Sequence, residues 1–133
     1  YTIAANGNPK LILAVAHWCP YCQQAMPVYS EWYATADLPD GVEVYLLTVF
    51  TTPDRGNYPP GPWLEAEAWS GPVLADDPVG SMAQALGIAS VPYHLLVAPD
   101  GTVVSRATGG FSAEQLDSAA EYLASLSPTP TTP

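Results

Sequence analysis

The sequence predicts an α/β fold built on a sheet with parallel and antiparallel parts. Three observations carry this expectation. Two nearly all-apolar runs, "PKLILAVA" (9–16) and "VEVYLLTVF" (42–50), lack alternation and suit strands buried on both faces. Between them, Ala25, Met26, Tyr29, Trp32 and Tyr33 recur at helical spacing over 20–36. Later, "YHLLVAPDGTVVSRAT" (93–108) is two strand-like runs joined by "PDG", a hairpin signal.

The remaining elements follow in order. Pro20 suits the first turn of the first helix, where its missing N–H is not needed, and Pro27 should kink that helix from inside. "LPDG" (38–41) is a turn. Residues 51–62, "TTPDRGNYPPGP", read as loop, and "WLEAEAW" (63–69) as a short helix with Trp63 and Trp69 on its core face. That helix flanks a proline-rich loop suited to shaping a partner surface. "PVGSMAQALG" (78–87) reads as a helix with Val79, Met82, Ala83 and Leu86 inward and Gly87 as its stop. Ser112 and Gln115 form a capping box ahead of Leu116, Ala120 and Leu123. The expected order is β-α-β-α-α-β-β-α, with no internal repeat.

Length and composition narrow the function. A chain of 133 residues is most simply one domain, large enough to bury a core without a disulfide. No apolar run approaches the roughly eighteen residues of a membrane span. A net charge of −10 repels phosphate backbones and anionic lipid, so nucleic-acid and membrane-surface roles are not expected. The chain starts at Tyr1 rather than Met, which reads as a trimmed or cleaved beginning. Its end, "SPTPTTP" (127–133), reads as a Pro/Thr-rich tail or linker beyond a domain spanning 1–126. With only two cysteines, close together and none spare to mispair, these features point to an exported, extracytoplasmic protein.

Those cysteines, Cys19 and Cys22, stand two residues apart in "AHWCPYCQQAMP" (16–27). Cys19 falls where a strand ends and a helix begins, so free backbone N–H groups and the helix dipole favour a thiolate there. Cys22 is one turn further on, on the same face and within reach of a disulfide. By exposure, Cys19 would attack a substrate disulfide and Cys22 would resolve the mixed disulfide. Strand, C-x-x-C, helix is the setting in which this motif signals redox chemistry. A structural staple would gain little from closing so short a loop. A zinc site would need further ligands, and only His17 and His94 are on offer, so no metal is expected.

With "HWCPYCQQAMP", "GIASVPYHLLVAPDGTVV" and the element order together, the chain resembles the thioredoxin-like superfamily, most of all its exported TlpA/DsbE-like branch. The resemblance runs from about Pro9 to Leu126. It implies a central mixed sheet with helices on both faces. Trp18-Cys19-Pro20-Tyr21-Cys22 matches the family's active-site motif, and Pro27 falls at its helix-kinking proline. "GPVLADDPVGSMAQALGIASVP" followed by an apolar strand and "PDG" matches the branch's middle segment. Val91-Pro92 corresponds to the cis-proline that faces the cysteines and holds substrate backbone. Two departures stand out. Leu13 occupies the position of the buried acid six residues before the first cysteine, and Ala25 occupies that of the Glu some relatives carry three residues after the second. Either acid is thought to help move the resolving cysteine's proton.

The resemblance therefore implies a thiol:disulfide oxidoreductase acting on protein cysteines. Val91, Pro92, Trp18 and Tyr21 would contact substrate, and His17 and Pro20 would tune the thiolate. His17 is otherwise a half-exposed loop histidine, Tyr21 an exposed helix-start residue, and His94 a packing or edge residue. No cofactor is implied, because the electrons reside in the cysteine pair. A membrane or extracytoplasmic redox partner is implied, and the chain is expected to be a monomer. Two other classes remain open: a binding module with a structural disulfide, and a metal-binding or glutaredoxin-like protein.

Overall fold

The computed structural model describes residues 6–126, so the expected tail at 127–133 lies outside the described residues. The elements are β1 (Lys10–Val15), α1 (Pro20–Thr35), β2 (Glu43–Thr48), α2 (Pro60–Ala66), β3 (Val73–Ala75), α3 (Ser81–Leu86), β4 (Tyr93–Val97), β5 (Val103–Thr108) and α4 (Ala113–Ser125). They form one five-stranded sheet in the order β3-β2-β1-β4-β5. β1 pairs parallel with β2 and β2 with β3, while β4 runs antiparallel to β1 and β5. The expected mixed sheet is thus present, with β1 at its centre.

Strand pleating divides the core into two layers. Leu11, Leu13 and Val15 of β1 face a cluster with Met26, Tyr29 and Trp32 of α1 and Leu116, Ala120 and Leu123 of α4. Ile12 and Ala14 face the opposite cluster with Leu47, Leu95 and Met82 and Ala83 of α3. Helices therefore cover both faces, and this explains why β1 shows no polar alternation. The Trp32 indole donates to the Asp117 carboxylate at 2.8 Å, tying α1 to α4. Lys10, buried where β1 starts, donates to Asn6 Oδ1 at 2.7 Å and to the Asn8 carbonyl, and pairs with Glu43 at 3.5 Å.

Several boundaries differ from expectation for identifiable reasons. β3 was not foreseen: it is three residues long, mostly exposed, and paired only to β2. α2 begins at Pro60, inside the stretch expected to be loop, because prolines fit a helix's first turn. Trp63 is buried on α2 as expected, but Trp69, equally buried, lies beyond the helix end. α3 begins at Ser81 rather than Pro78. Asp76 accepts from the Met82 and Ala83 N–H groups, and Asp77 from those of Val79 and Ser81. These carboxylates satisfy the orphan donors of a later start, leaving Val79 outside the helix and 80% exposed, not inward. The capping box of α4 forms as expected, with Ser112 and Gln115 bonding reciprocally.

Candidate active site

Cys19 sits between the end of β1 and the start of α1, as the N-cap residue of that helix. Pro20 follows in the first turn, and the Gln23 N–H closes onto the Cys19 carbonyl at 2.9 Å. Both cysteines are free thiols. Cys19 keeps 5% of its surface exposed, whereas Cys22 keeps none. The Cys22 sulfur accepts from the Ala16 N–H at 3.4 Å. Burial pushes the Cys22 thiol well above the usual thiol range, the Ala16 N–H offsets this only partly, and neighbouring Cys19 raises it further. The pair is therefore asymmetric: both cysteines are buried, but Cys19 keeps a little exposed surface while Cys22 is fully enclosed and held as a thiol.

Val91 and Pro92, distant in sequence, are brought to the cysteines by β4. The Val91–Pro92 bond is cis, as the resemblance implies, and the Cys19 thiol points at the Val91 carbonyl with sulfur and oxygen 3.6 Å apart. Tyr21 projects from the helix start, 71% exposed. Trp18 is half-buried, and its indole N–H donates to the Phe50 carbonyl at 2.8 Å. Arg55 lies over the Trp18 ring at 4.6 Å from its centroid.

His17 is placed otherwise than expected. It is fully buried, not a half-exposed loop residue. Its Nδ1 lies 2.7 Å from the Gly56 carbonyl oxygen, and its Nε2 accepts from the Thr52 N–H at 3.1 Å. One partner is an acceptor and the other a donor, so the neutral ring with its proton on Nδ1 satisfies both. Asn57 adds a bond to the His17 carbonyl at 3.1 Å, and the Tyr58 ring packs edge-on. Phe50 and Asn57, near the two ends of this loop, both take left-handed backbone conformations. His17 is thus the hub that holds the 50–58 loop beside Trp18.

Sequence reasoning gave no redox role to two further residues on this side of the sheet, His94, read as a packing or edge residue, and Tyr29, read as part of the helical pattern of α1. His94 is fully buried, and its Nε2 lies 2.7 Å from the Tyr29 hydroxyl. β4 runs between β1 and β5, so His94 is not at an edge. Its other nitrogen, Nδ1, has no hydrogen-bond partner. Phe111 stacks on the ring at 3.7 Å, nearly parallel. Burial pushes the imidazole down to about 4, with the Ala107 carbonyl opposing only in part. The signal available in the sequence was a polar residue within an apolar strand two positions past Pro92.

An apolar groove of about 410 Å³ lies between α2 and β3, lined by Leu64, Trp69 and Val73 among others. It contains neither cysteine. Among the described residues, no three His, Cys, Asp or Glu side chains converge as metal ligands, and no helix is long and apolar enough to cross a membrane.

Residues 1–124 match the family model for a thioredoxin-like domain. No curated protein sequence gives a significant match. Solved structures with the same fold include StoA from Bacillus subtilis, at TM-score 0.72 and 21% identity over 85% of this chain and 82% of that one. A secreted Mycobacterium tuberculosis disulfide oxidoreductase homologous to E. coli DsbE aligns at TM-score 0.67 and 19% identity, covering 90% and 84%. The exposed lipoprotein thioredoxin of Streptococcus pneumoniae aligns at 0.70 and 20%, covering 90% and 87%. At these identities the likeness is one of fold.

Proposed function

The chain belongs to the thioredoxin-like domain family, and on that premise we propose that it catalyses thiol–disulfide exchange on protein cysteines. The observation that carries the reading is the asymmetry of the pair: Cys19 at the helix tip facing the Val91 carbonyl, Cys22 sealed behind it. Cys19 attacks a substrate disulfide as thiolate, forming a mixed disulfide and releasing one substrate thiolate. Cys22 then loses its proton and attacks the Cys19 sulfur. The Cys19–Cys22 bond forms, and the second substrate sulfur leaves with the electron pair. Run backwards, the same steps oxidise a substrate dithiol.

Val91 and Pro92 line the approach to Cys19 and offer an extended backbone for a substrate strand to pair with. Tyr21 and Trp18 give that strand aromatic contacts, and Pro20 fixes the turn between the cysteines. The electrons reside in the sulfurs, so the chain needs no cofactor. We place its work outside the cytoplasm, as a monomer recharged by a membrane or extracytoplasmic redox partner. The lone close pair of cysteines supports that setting, as do relatives of the same fold described as secreted or exposed.

The test is turnover of insulin disulfides with dithiothreitol, alongside equilibration of the pair against glutathione. A measurable potential, with turnover lost in Cys19→Ser, is the expected result. A Cys19–Cys22 disulfide that resists dithiothreitol, with no insulin turnover, would make the pair a structural staple in a binding module.

A further inference from the structure

Resolution asks Cys22 to give up a proton inside the core, and β1 supplies only Leu13 where relatives carry an acid. The opposing strand supplies something else. Leu13 on β1 is the direct register partner of His94 on β4. Both face the layer that holds Cys22, since Leu96, two residues after His94, belongs to the same cluster as Leu13, Cys22 and Tyr29. Tyr29 lies two turns after Cys22 on α1, and helical side chains lean back toward the helix start, here toward the cysteines.

The hydrogen bonds order this pair. The Phe111 N–H donates to the Tyr29 oxygen at 3.4 Å, so the phenol proton is left to donate to His94 Nε2 at 2.7 Å. The ring proton then stands on Nδ1, where only the Ala107 carbonyl of the neighbouring strand acts on the ring and no well-formed hydrogen bond is made. A buried donor so weakly partnered is uncommon. The titratable groups on this face are Tyr29 and Cys22 of α1 and Cys19 at its N-cap. β1 presents Leu13, β5 presents Ala107, and the segment before α4 presents Phe111. Among the described residues, no carboxylate or ammonium bonds to either ring.

We propose that Tyr29 and His94 form a buried proton relay that takes the place of the missing acid and serves the Cys22 thiol during resolution. The inference rests on the exchange reading. As Cys22 ionises, its proton passes to the Tyr29 oxygen while the Tyr29 proton passes to His94 Nε2. Tyr29 remains a phenol, His94 becomes an imidazolium, and the new cation offsets the new thiolate. The Cys22 electron pair then forms the bond to Cys19, and the Cys19–substrate bond breaks onto the substrate sulfur. The departing thiolate takes a proton from solvent as His94 sheds its own, so no net proton is gained or lost. Burial keeps His94 neutral at rest and Tyr29 a phenol, and the Tyr29 phenol is raised further by Cys22, so the two groups sense each other's charge. In the resting state Tyr29 bonds to His94 and Phe111 and not to Cys22, so the transfer requires Tyr29 to meet the Cys22 thiol once the mixed disulfide has formed.

The test follows a mixed disulfide between Cys19 and a fluorescent model peptide by stopped flow from pH 5.5 to 9. Formation and release are read separately in wild type, His94→Leu and Tyr29→Phe. In wild type, release should change little with pH below 8. In both variants it should slow about tenfold at pH 6.5 and climb about tenfold per pH unit, as a thiol ionising directly to solvent must. Parallel release profiles in variants with native circular dichroism would overturn the relay. Should His94→Leu fail to fold, Tyr29→Phe, which keeps the ring, decides the matter alone. If the wild type forms no mixed disulfide at all, the exchange reading itself falls, and the relay with it.

Discussion

The ring of His17 bonds through Nδ1 to the Gly56 carbonyl at 2.7 Å, fastening a loop that starts more than thirty residues later in the chain. With the Thr52 N–H held by the other nitrogen, one side chain closes both halves of the 50–58 loop against the start of α1. His17→Ala removes the partners of the half-buried Thr52 N–H and of the carbonyl of exposed Gly56, and since water can reach them the loss is about 0.5–1.5 kcal/mol for each bond. The expected outcome is faster amide exchange at Thr52 with the sheet still protected. Unchanged exchange at Thr52 would show that the loop holds itself.

The two cysteines should alkylate at very different rates. Cys19 retains a little surface at the helix tip, while Cys22 is sealed and held as a thiol by burial. With iodoacetamide at pH 7.5, Cys19 should be modified at least about tenfold faster than Cys22 in the reduced protein. Peptide mapping after a short pulse reads the ratio, and equal labelling contradicts the division of labour.

His94 gives stability a specific pH dependence. Its folded value of about 4 lies below its ordinary 6.5, so between these values the unfolded chain binds a proton that the native chain refuses. Stability from this group is complete above about pH 6.5 and is lost as pH falls toward 4, roughly 3 kcal/mol in all. Urea titrations of wild type and His94→Leu from pH 4 to 8 should diverge across that window. Parallel curves would show that His94 does not titrate as its burial implies.

Leu13→Asp places a carboxylate opposite His94. In an apolar layer an unpaired acid costs about 2–4 kcal/mol, but here it meets a base across the strand pair. The variant should lose stability at pH 8, regain part of it as His94 becomes protonated near pH 6, and release mixed disulfides faster at pH 7. Nitrogen-15 shifts of His94 should report an ionisation above about 4. A ring that still titrates as in wild type would mean the two side chains do not meet.

The cysteine motif was legible because it is a local pattern with a local consequence, a strand end and a helix start, whereas Pro92 was legible only through the family resemblance, since most X–Pro bonds are trans. The two-sided burial of β1 was legible because six successive residues carry it. The two histidines were not. Whether a lone polar side chain is buried depends on partners 35 to 65 residues away, as with His17 and Thr52 or His94 and Tyr29, and no local pattern encodes them. β3 escaped notice because three exposed residues offer no periodicity, and the start of α3 because carboxylates outside the helix set it.

The chain has only three basic side chains, and two of them are bound up in the fold: Lys10 with Glu43 and the Asn6–Asn8 segment, Arg106 with the Leu86 carbonyl. The third, Arg55, rests on Trp18, next to Cys19. An arriving client therefore meets two fields in succession. At long range it feels the summed negative charge of the molecule, which draws basic clients and is muted by salt. Over the last few ångströms it meets a single positive point on an aromatic face. Speed of encounter and preference at contact are thus set by opposite signs of charge, and ionic strength would tune the first while leaving the second largely in place.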